Sequence, residues 1–176
     1  SQYSYLGMDP RGLTDEYANY WTLTQNHSKI INKYCIANPK QWAGYSDKCW
    51  GLTASYTRNT DGSTGYTAHQ PLNDTGVISP TAALSSFPFT PAESMKFLHY
   101  LYDEKKSTLV GVAGPYDAFS PHYNWVTPRY LAIDQGTIAP MIENYRTGLL
   151  WKLFMNAPEV KAGLLKLDFH SGKYNF

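Results

Sequence analysis

An all-α chain with long, aromatic-rich loops is the fold this sequence predicts. Several segments repeat apolar residues at helical spacing between recognisable start and stop residues, whereas no stretch alternates apolar and polar residues for long enough to define a strand. Short hairpins inside the loops remain compatible with this pattern. No repeat of roughly 20–50 residues indicates a superhelical array. With 43% hydrophobic and 16% charged residues the chain has material for a packed core and too little charge for disorder. Its 176 residues fit one domain. The chain begins with Ser1 and carries no basic-then-apolar leader, so it reads as a processed chain or a piece of a longer one.

The first helix is expected from Thr14 to Asn38. Thr14 caps it, Asp15 and Glu16 occupy its first turn, and Asn38-Pro39 stops it. Its stripe is Tyr17, Tyr20, Trp21, Ile31, Tyr34 and Cys35, aromatic at the N-terminal end, which is expected to meet other elements rather than water. Ser79-Pro80 opens a short helix through Ala83 and Leu84, closed by Pro88. Thr90-Pro-Ala-Glu93 has the form of a capping box ahead of a helix burying Met95, Leu98, Leu101 and Tyr102 and ending at Lys105-Lys106. The longest periodic segment joins Ile138, Met141, Ile142, Tyr145, Leu149 and Leu153, which requires Pro140 in its first turn. Pro158 opens a last helix through Val160, Leu164 and Leu165. Two connections, Tyr56 to Val77 and Ser107 to Ile133, exceed the roughly 12–15 residues beyond which structureless loops become uncommon, and are candidate functional loops.

Composition narrows the chemistry. Fifteen Lys plus Arg against fourteen Asp plus Glu give a net charge of +1, dispersed along the chain, which argues against nucleic acid and anionic membranes as partners. No apolar run approaches the roughly 18 residues of a membrane span, so no membrane insertion is expected. Cys35 and Cys49 permit one disulfide without implying it. The five histidines show no metal-ligand spacing, and no GxSxG, Walker or GxGxxG motif occurs, so neither metal nor cofactor is expected. Fifteen Tyr and five Trp against seven Phe favour surfaces where a ring face is covered while its edge stays polar, as in a sugar-binding groove.

Asp134 lies in Ile133-Asp134-Gln135-Gly136, read as the approach to the longest helix. A carboxylate there faces unpaired amides and a positive dipole end, which suits a base or nucleophile, although the spacing by itself favours plain N-capping. Glu143 and Arg146 are spaced for an intrahelical ion pair, yet Glu143-Asn-Tyr-Arg146 also gives a polar face on an apolar helix. Asp47 and Asp117 are loop carboxylates flanked by aromatics. Glycoside hydrolysis usually needs two carboxyl groups, and sugar rings stack on indoles and phenols, for which Trp50, Tyr66, Tyr116 and Trp125 are the candidates. Core packing is the competing role for each of these rings.

The segments Cys49-Trp-Gly-Leu-Thr-Ala-Ser55, Ile78-Ser-Pro-Thr-Ala-Ala-Leu-Ser-Ser-Phe-Pro-Phe89, Tyr116-Asp-Ala-Phe119, Leu131-Ala-Ile-Asp-Gln-Gly136 and Met141-Ile-Glu-Asn-Tyr-Arg-Thr-Gly-Leu-Leu-Trp151 resemble the bacterial glucoamylase-like family. That family includes endo-β-1,2-glucanases and is related to a domain of cyclic β-1,2-glucan synthases. The resemblance runs in consistent order through nearly the whole chain. It implies about half of an (α/α)6 barrel, with residues 1–176 as the C-terminal portion of the catalytic domain and the remaining half of the same enzyme as partner. It implies an inverting glycosidase acting on an oligosaccharide or polysaccharide, with the general acid upstream and Asp134 as candidate base. Trp50, Tyr116, Asp117, Glu143 and Arg146 would line the substrate cleft, joined as substrate contacts by the candidates Asp47, Tyr66 and Trp125 named above, and the location would be periplasmic or secreted. Where the family commonly shows Glu-Asn before the Trp-Gly segment, this chain has Asp47-Lys48. A non-catalytic carbohydrate-binding module and a transglycosylase acting on β-1,2-glucan are the alternative readings.

Overall fold

The computed structural model describes residues 2–176. It is helix-rich, with seven α-helices among the described residues. It departs from an all-α chain in four two-stranded antiparallel ladders, which occupy much of what the sequence leaves as loop. α1 spans Tyr20–Ala37 and α2 Pro80–Leu84. α3 (Pro91–His99) runs into a π-helical turn at Tyr100–Glu104, followed by α4 (Lys106–Leu109). α5 (Ala132–Arg146), α6 (Leu149–Met155) and α7 (Pro158–Lys166) complete the set.

Several boundaries move for local reasons. α1 starts at Tyr20 because Asn19, not Thr14, caps it: Asn19 Oδ1 accepts the Thr22 N–H at 3.0 Å. Thr14 instead belongs to β1 (Leu13–Thr14), paired with β8 (His170–Ser171). Tyr17 falls outside the helix and stays 82% exposed, so the aromatic end of the expected stripe meets solvent there. The C-terminus is as expected, with Asn38 in the left-handed region at φ 45° and its N–H bonded to Tyr34 O. The Thr90 capping box does not form. The Thr90 hydroxyl turns back to the Ser86 carbonyl at 3.3 Å, and Met95 and Tyr102 stay exposed while Ser94 and Phe97 face inward.

α5 begins at Ala132, which leaves Pro140 in the helix interior rather than the first turn. Pro140 has no N–H to offer the Gly136 carbonyl. The long periodic segment is two helices, because Gly148 adopts φ 68° between α5 and α6.

The connection from Tyr56 to Val77 is built on a hairpin of β2 (Ala54–Arg58) and β3 (Thr64–Ala68), in register from Ala54 opposite Ala68 to Arg58 opposite Thr64. The second connection holds β4 (Val110–Gly111) with β5 (Gly114–Pro115), then β6 (Ala118–Ser120) with β7 (Trp125–Thr127). The main apolar cluster gathers Cys35, Trp50, Leu84, Phe87, Phe97, Leu101 and Phe119 under α1, α2, α3 and β6. A second cluster of Tyr5, Phe89, Met141 and Trp151 ties the N-terminal turn to α5 and α6. Cys35 and Cys49 are free thiols inside the first cluster. No helix among the described residues is long and apolar enough to cross a membrane.

Candidate active site

Asp134 sits in the first turn of α5 and is 2% exposed. Its side chain does not cap the helix. Oδ1 accepts the Tyr3 hydroxyl, brought from 131 residues away by the N-terminal turn. Its backbone carbonyl is held by the Thr81 hydroxyl at 2.8 Å and the Thr137 hydroxyl at 2.9 Å, and Ser85 extends this hydroxyl cluster between α2 and α5.

Asp117 precedes β6 and is also buried. Its N–H donates to Arg129 O at 3.0 Å, and its Oδ2 accepts the Tyr56 N–H of β2 at 2.8 Å. The two carboxyl groups are near enough for Asp134 to act on the Asp117 carboxyl. Each keeps one oxygen, Asp117 Oδ1 and Asp134 Oδ2, that meets no N–H or O–H donor among the described residues. Burial pushes the Asp117 carboxyl up from 3.8 to about 7; the Tyr56 amide opposes the shift and the Asp134 carboxyl adds to it. Burial, and then the bond to Asp134, raises the Tyr3 phenol well above its ordinary value. The Tyr66 phenol is raised by burial and by the charges of Asp134 and Asp117, while its ring is 59% exposed. Two buried acids thus sit together beneath one exposed and one half-exposed phenol, an arrangement able to hold and move protons.

The structure brings Asp134, Asp117 and Tyr66 together and places the other candidates elsewhere. Trp50 is 1% exposed and packs in the main core, its indole N–H on Glu93 O at 3.3 Å, so it is no sugar platform within this fold. Asp47 is exposed and ion-paired with Lys96 at 2.8 Å, which holds its carboxyl below the ordinary range. Glu143 accepts the Thr147 hydroxyl at 2.6 Å and the Arg146 guanidinium at 3.4 Å, the intrahelical pairing that the spacing allows. Tyr116 is half-buried against Tyr130, ring centroids 5.5 Å apart. Trp125 lines a cavity of about 330 Å³ with Tyr100, Leu109, Phe119 and Asn124. Neither Asp117 nor Asp134 lines that cavity. Among the described residues no group of three or more His, Cys, Asp and Glu is placed to hold a metal ion.

Tyr3 is the site residue that sequence reasoning misses, because nothing in Gln2-Tyr3-Ser4 marks a partner so far along the chain. The tyrosine excess has a use beyond ring stacking: phenols of Tyr3, Tyr20, Tyr34, Tyr45 and Tyr174 all donate to aspartates. A rigid amphipathic ring can cross apolar packing and still deliver an O–H to a carboxylate.

The family described as "Putative glucoamylase" matches residues 1–158. This chain belongs to that family. Among solved structures of glucoamylase-like proteins, a putative glucoamylase from Bacteroides uniformis superposes with a TM-score of 0.91 at 53% identity, over 98% of this chain and 40% of that one. An endo-β-1,2-glucanase from Chitinophaga pinensis superposes with a TM-score of 0.89 at 54% identity, over 96% of this chain and 40% of that one. An exo-β-1,2-glucooligosaccharide sophorohydrolase (non-reducing end) of Parabacteroides distasonis is 46% identical over 168 residues, 94% of this chain and 23% of that protein. The chain therefore spans two-fifths or less of the length of these glucoamylase-like relatives.

Proposed function

We propose that residues 1–176 form the C-terminal portion of a catalytic domain, about half of an (α/α)6 barrel, whose remaining half lies in the same enzyme. The complete enzyme hydrolyses β-linked glucan, in particular β-1,2-glucan, with inversion, in the periplasm or outside the cell. The observation that carries this reading is the buried Asp117–Asp134 pair under Tyr3 and Tyr66, in a chain 54% identical to a protein named as an endo-β-1,2-glucanase.

Inversion uses an acid that protonates the leaving oxygen and a base that activates water on the opposite face, the two roughly 6.5–9.5 Å apart. Asp134 is the base of this scheme, and the acid comes from the other half. At 2% exposure Asp134 takes its proton through the Tyr3 phenol. As Tyr3 oxygen accepts a proton from water or a substrate hydroxyl, its own proton passes to Asp134, so the phenol ends neutral and the carboxyl protonated. Tyr3, 41% exposed, reaches both sides. Tyr66 offers its ring face to the sugar beside the acid pair, while Tyr116, Trp125, Asp47, Glu143 and Arg146, set apart from that pair, extend the cleft; Trp50 supports this wall from within.

The test is product analysis of β-1,2-glucan incubated with the full-length polypeptide. Shortened chains with inverted anomeric configuration support the proposal; bound but intact chains indicate a carbohydrate-binding module, and rearranged linkages a transglycosylase. Asp134→Asn and Tyr3→Phe should each lower kcat by about 100-fold or more. The thermal transition of Asp134→Asn should barely move, because the amide oxygen still accepts the Tyr3 hydroxyl. Unchanged rates in both variants remove this relay from the mechanism.

A further inference from the structure

Asp117 contributes something other than a sugar contact. It is 5% exposed, and its Oδ2 is committed to the Tyr56 amide at 2.8 Å. Its remaining oxygen, Oδ1, and Asp134 Oδ2 are the two carboxylate oxygens among the described residues that are buried and meet no donor. Two neighbouring ionised carboxylates, each with a bare buried oxygen, would repel and would leave both atoms unsatisfied. One proton between them cures both defects. It turns one bare oxygen into a donor and the other into its acceptor, as in other carboxyl pairs that share a site.

We propose that Asp117 is a positioning residue: it carries a proton and donates it to the Asp134 carboxylate, holding that group against Tyr3 and leaving a single negative charge on the pair.

The surroundings decide which partner keeps the proton. Asp134 accepts the Tyr3 hydroxyl, whereas among the described residues Asp117 has one backbone N–H and no cationic side chain on its carboxyl. The groups that face Asp117 come from four elements: Tyr3 of the N-terminal turn, Tyr66 of β3, the Tyr56 amide of β2 and Asp134 of α5. Arg129 gives Asp117 its backbone carbonyl while its guanidinium lies over the Tyr56 ring, 5.7 Å from the centroid, and His69 is bonded to the Tyr56 carbonyl. The position of Asp117 therefore carries a consequence for pH. Its carboxyl is raised, so the fold favours the neutral form; the stability this contributes is complete below the ordinary value of 3.8 and is lost as pH rises through about 7. Activity falls over the same alkaline limb, because ionised Asp117 pushes Asp134 off Tyr3.

This inference rests on Asp134 being the base of a glucan hydrolase, and its test separates the two. In the full-length polypeptide, Asp117→Asn keeps an acceptor for the Tyr56 amide and a permanent N–H donor for Asp134. It should hold kcat within about tenfold of the parent and move the alkaline limb of the pH profile up by about one unit or more. Asp117→Ala should lose about 100-fold, as expected when a catalytic group is misplaced by an ångström. Infrared spectra of the parent below pH 7 should show a buried protonated-carboxyl stretch that Asp117→Asn lacks. An Asn variant as inactive as the Ala variant, an alkaline limb common to parent and Asn variant, or a carboxyl band indifferent to the substitution overturns the proposal. A parent that shows the band but leaves β-1,2-glucan intact overturns the hydrolase reading and leaves the shared proton standing.

Discussion

Asp74 offers the sharpest test of how this fold is held. Its carboxylate is 5% exposed and collects four donors: the Tyr45 hydroxyl at 2.8 Å, the Trp42 indole N–H at 2.9 Å, the Tyr34 hydroxyl at 3.0 Å and the Gly76 amide at 3.0 Å. One side chain thereby clamps α1, the 38–45 turn and the segment entering α2. In Asp74→Ala the phenols have second acceptors, Tyr45 on Val77 O at 3.2 Å and Tyr34 on Pro71 O at 3.3 Å. The Trp42 indole and the Gly76 amide have none, and each unpaired buried donor costs about 1–3 kcal/mol. Trp42 is half-buried and recovers part of its loss from water, so the expected destabilisation is about 3 kcal/mol. Asp74→Asn keeps one acceptor oxygen but turns an N–H₂ toward the remaining donors, for about half that cost. Urea unfolding of the full-length polypeptide followed by circular dichroism measures the loss, and native-state hydrogen exchange at the Gly76 amide localises it. A loss below about 1 kcal/mol for Asp74→Ala, or Gly76 protection equal to the parent's, refutes the clamp.

Two further outcomes follow from the geometry. Gly51 has φ 138°, and a Cβ built there would lie 2.7 Å from the Ser79 carbonyl oxygen, so Gly51→Ala should cost about 3 kcal/mol and lower the thermal midpoint visibly. Asp9 joins the N-terminal turn to the C-terminus through Arg11, Lys173 and Tyr174. Burial pushes its carboxyl up, but the hydrogen bonds and charge of Arg11, with Lys173, outweigh that and hold it below 3.8. Its stabilisation is present above the ordinary value and is lost as pH falls through the lower folded one, so Asp9→Asn should cost about 2 kcal/mol at neutral pH and flatten acid unfolding monitored by circular dichroism.

Much of the helical content is legible because prolines and terminating asparagines act locally: α2, α3 and α7 each open on Pro at the first helical position, and α1 ends at Asn38. The hairpin of β2 and β3 is not legible by alternation of hydrophobicity, although the burial of β2 alternates cleanly, because its inward residues are Ser55 and Thr57. The same inversion hides the inner face of α1, where Thr24, Ser28 and Asn32 are buried and Ile30 and Ile36 are exposed. Hydrophobic patterning finds faces that bury carbon; here several inward faces bury hydroxyls that bond to one another. Gly148 explains why one periodic stretch became two helices, a backbone conformation that apolar spacing does not encode.

Taken alone, the sequence determined a helix-rich chain, a nearly neutral charge and its family, because these depend on residue identity and short-range spacing. The tertiary structure decided which acids lie together. It buried Trp50, left Asp47 and Glu143 in ordinary ion pairs, and set Asp117 against Asp134 with Tyr3 as cover. Proton affinity depends on burial and on neighbours a few ångströms away, and three residues at positions 3, 117 and 134 become neighbours only when the chain closes around them.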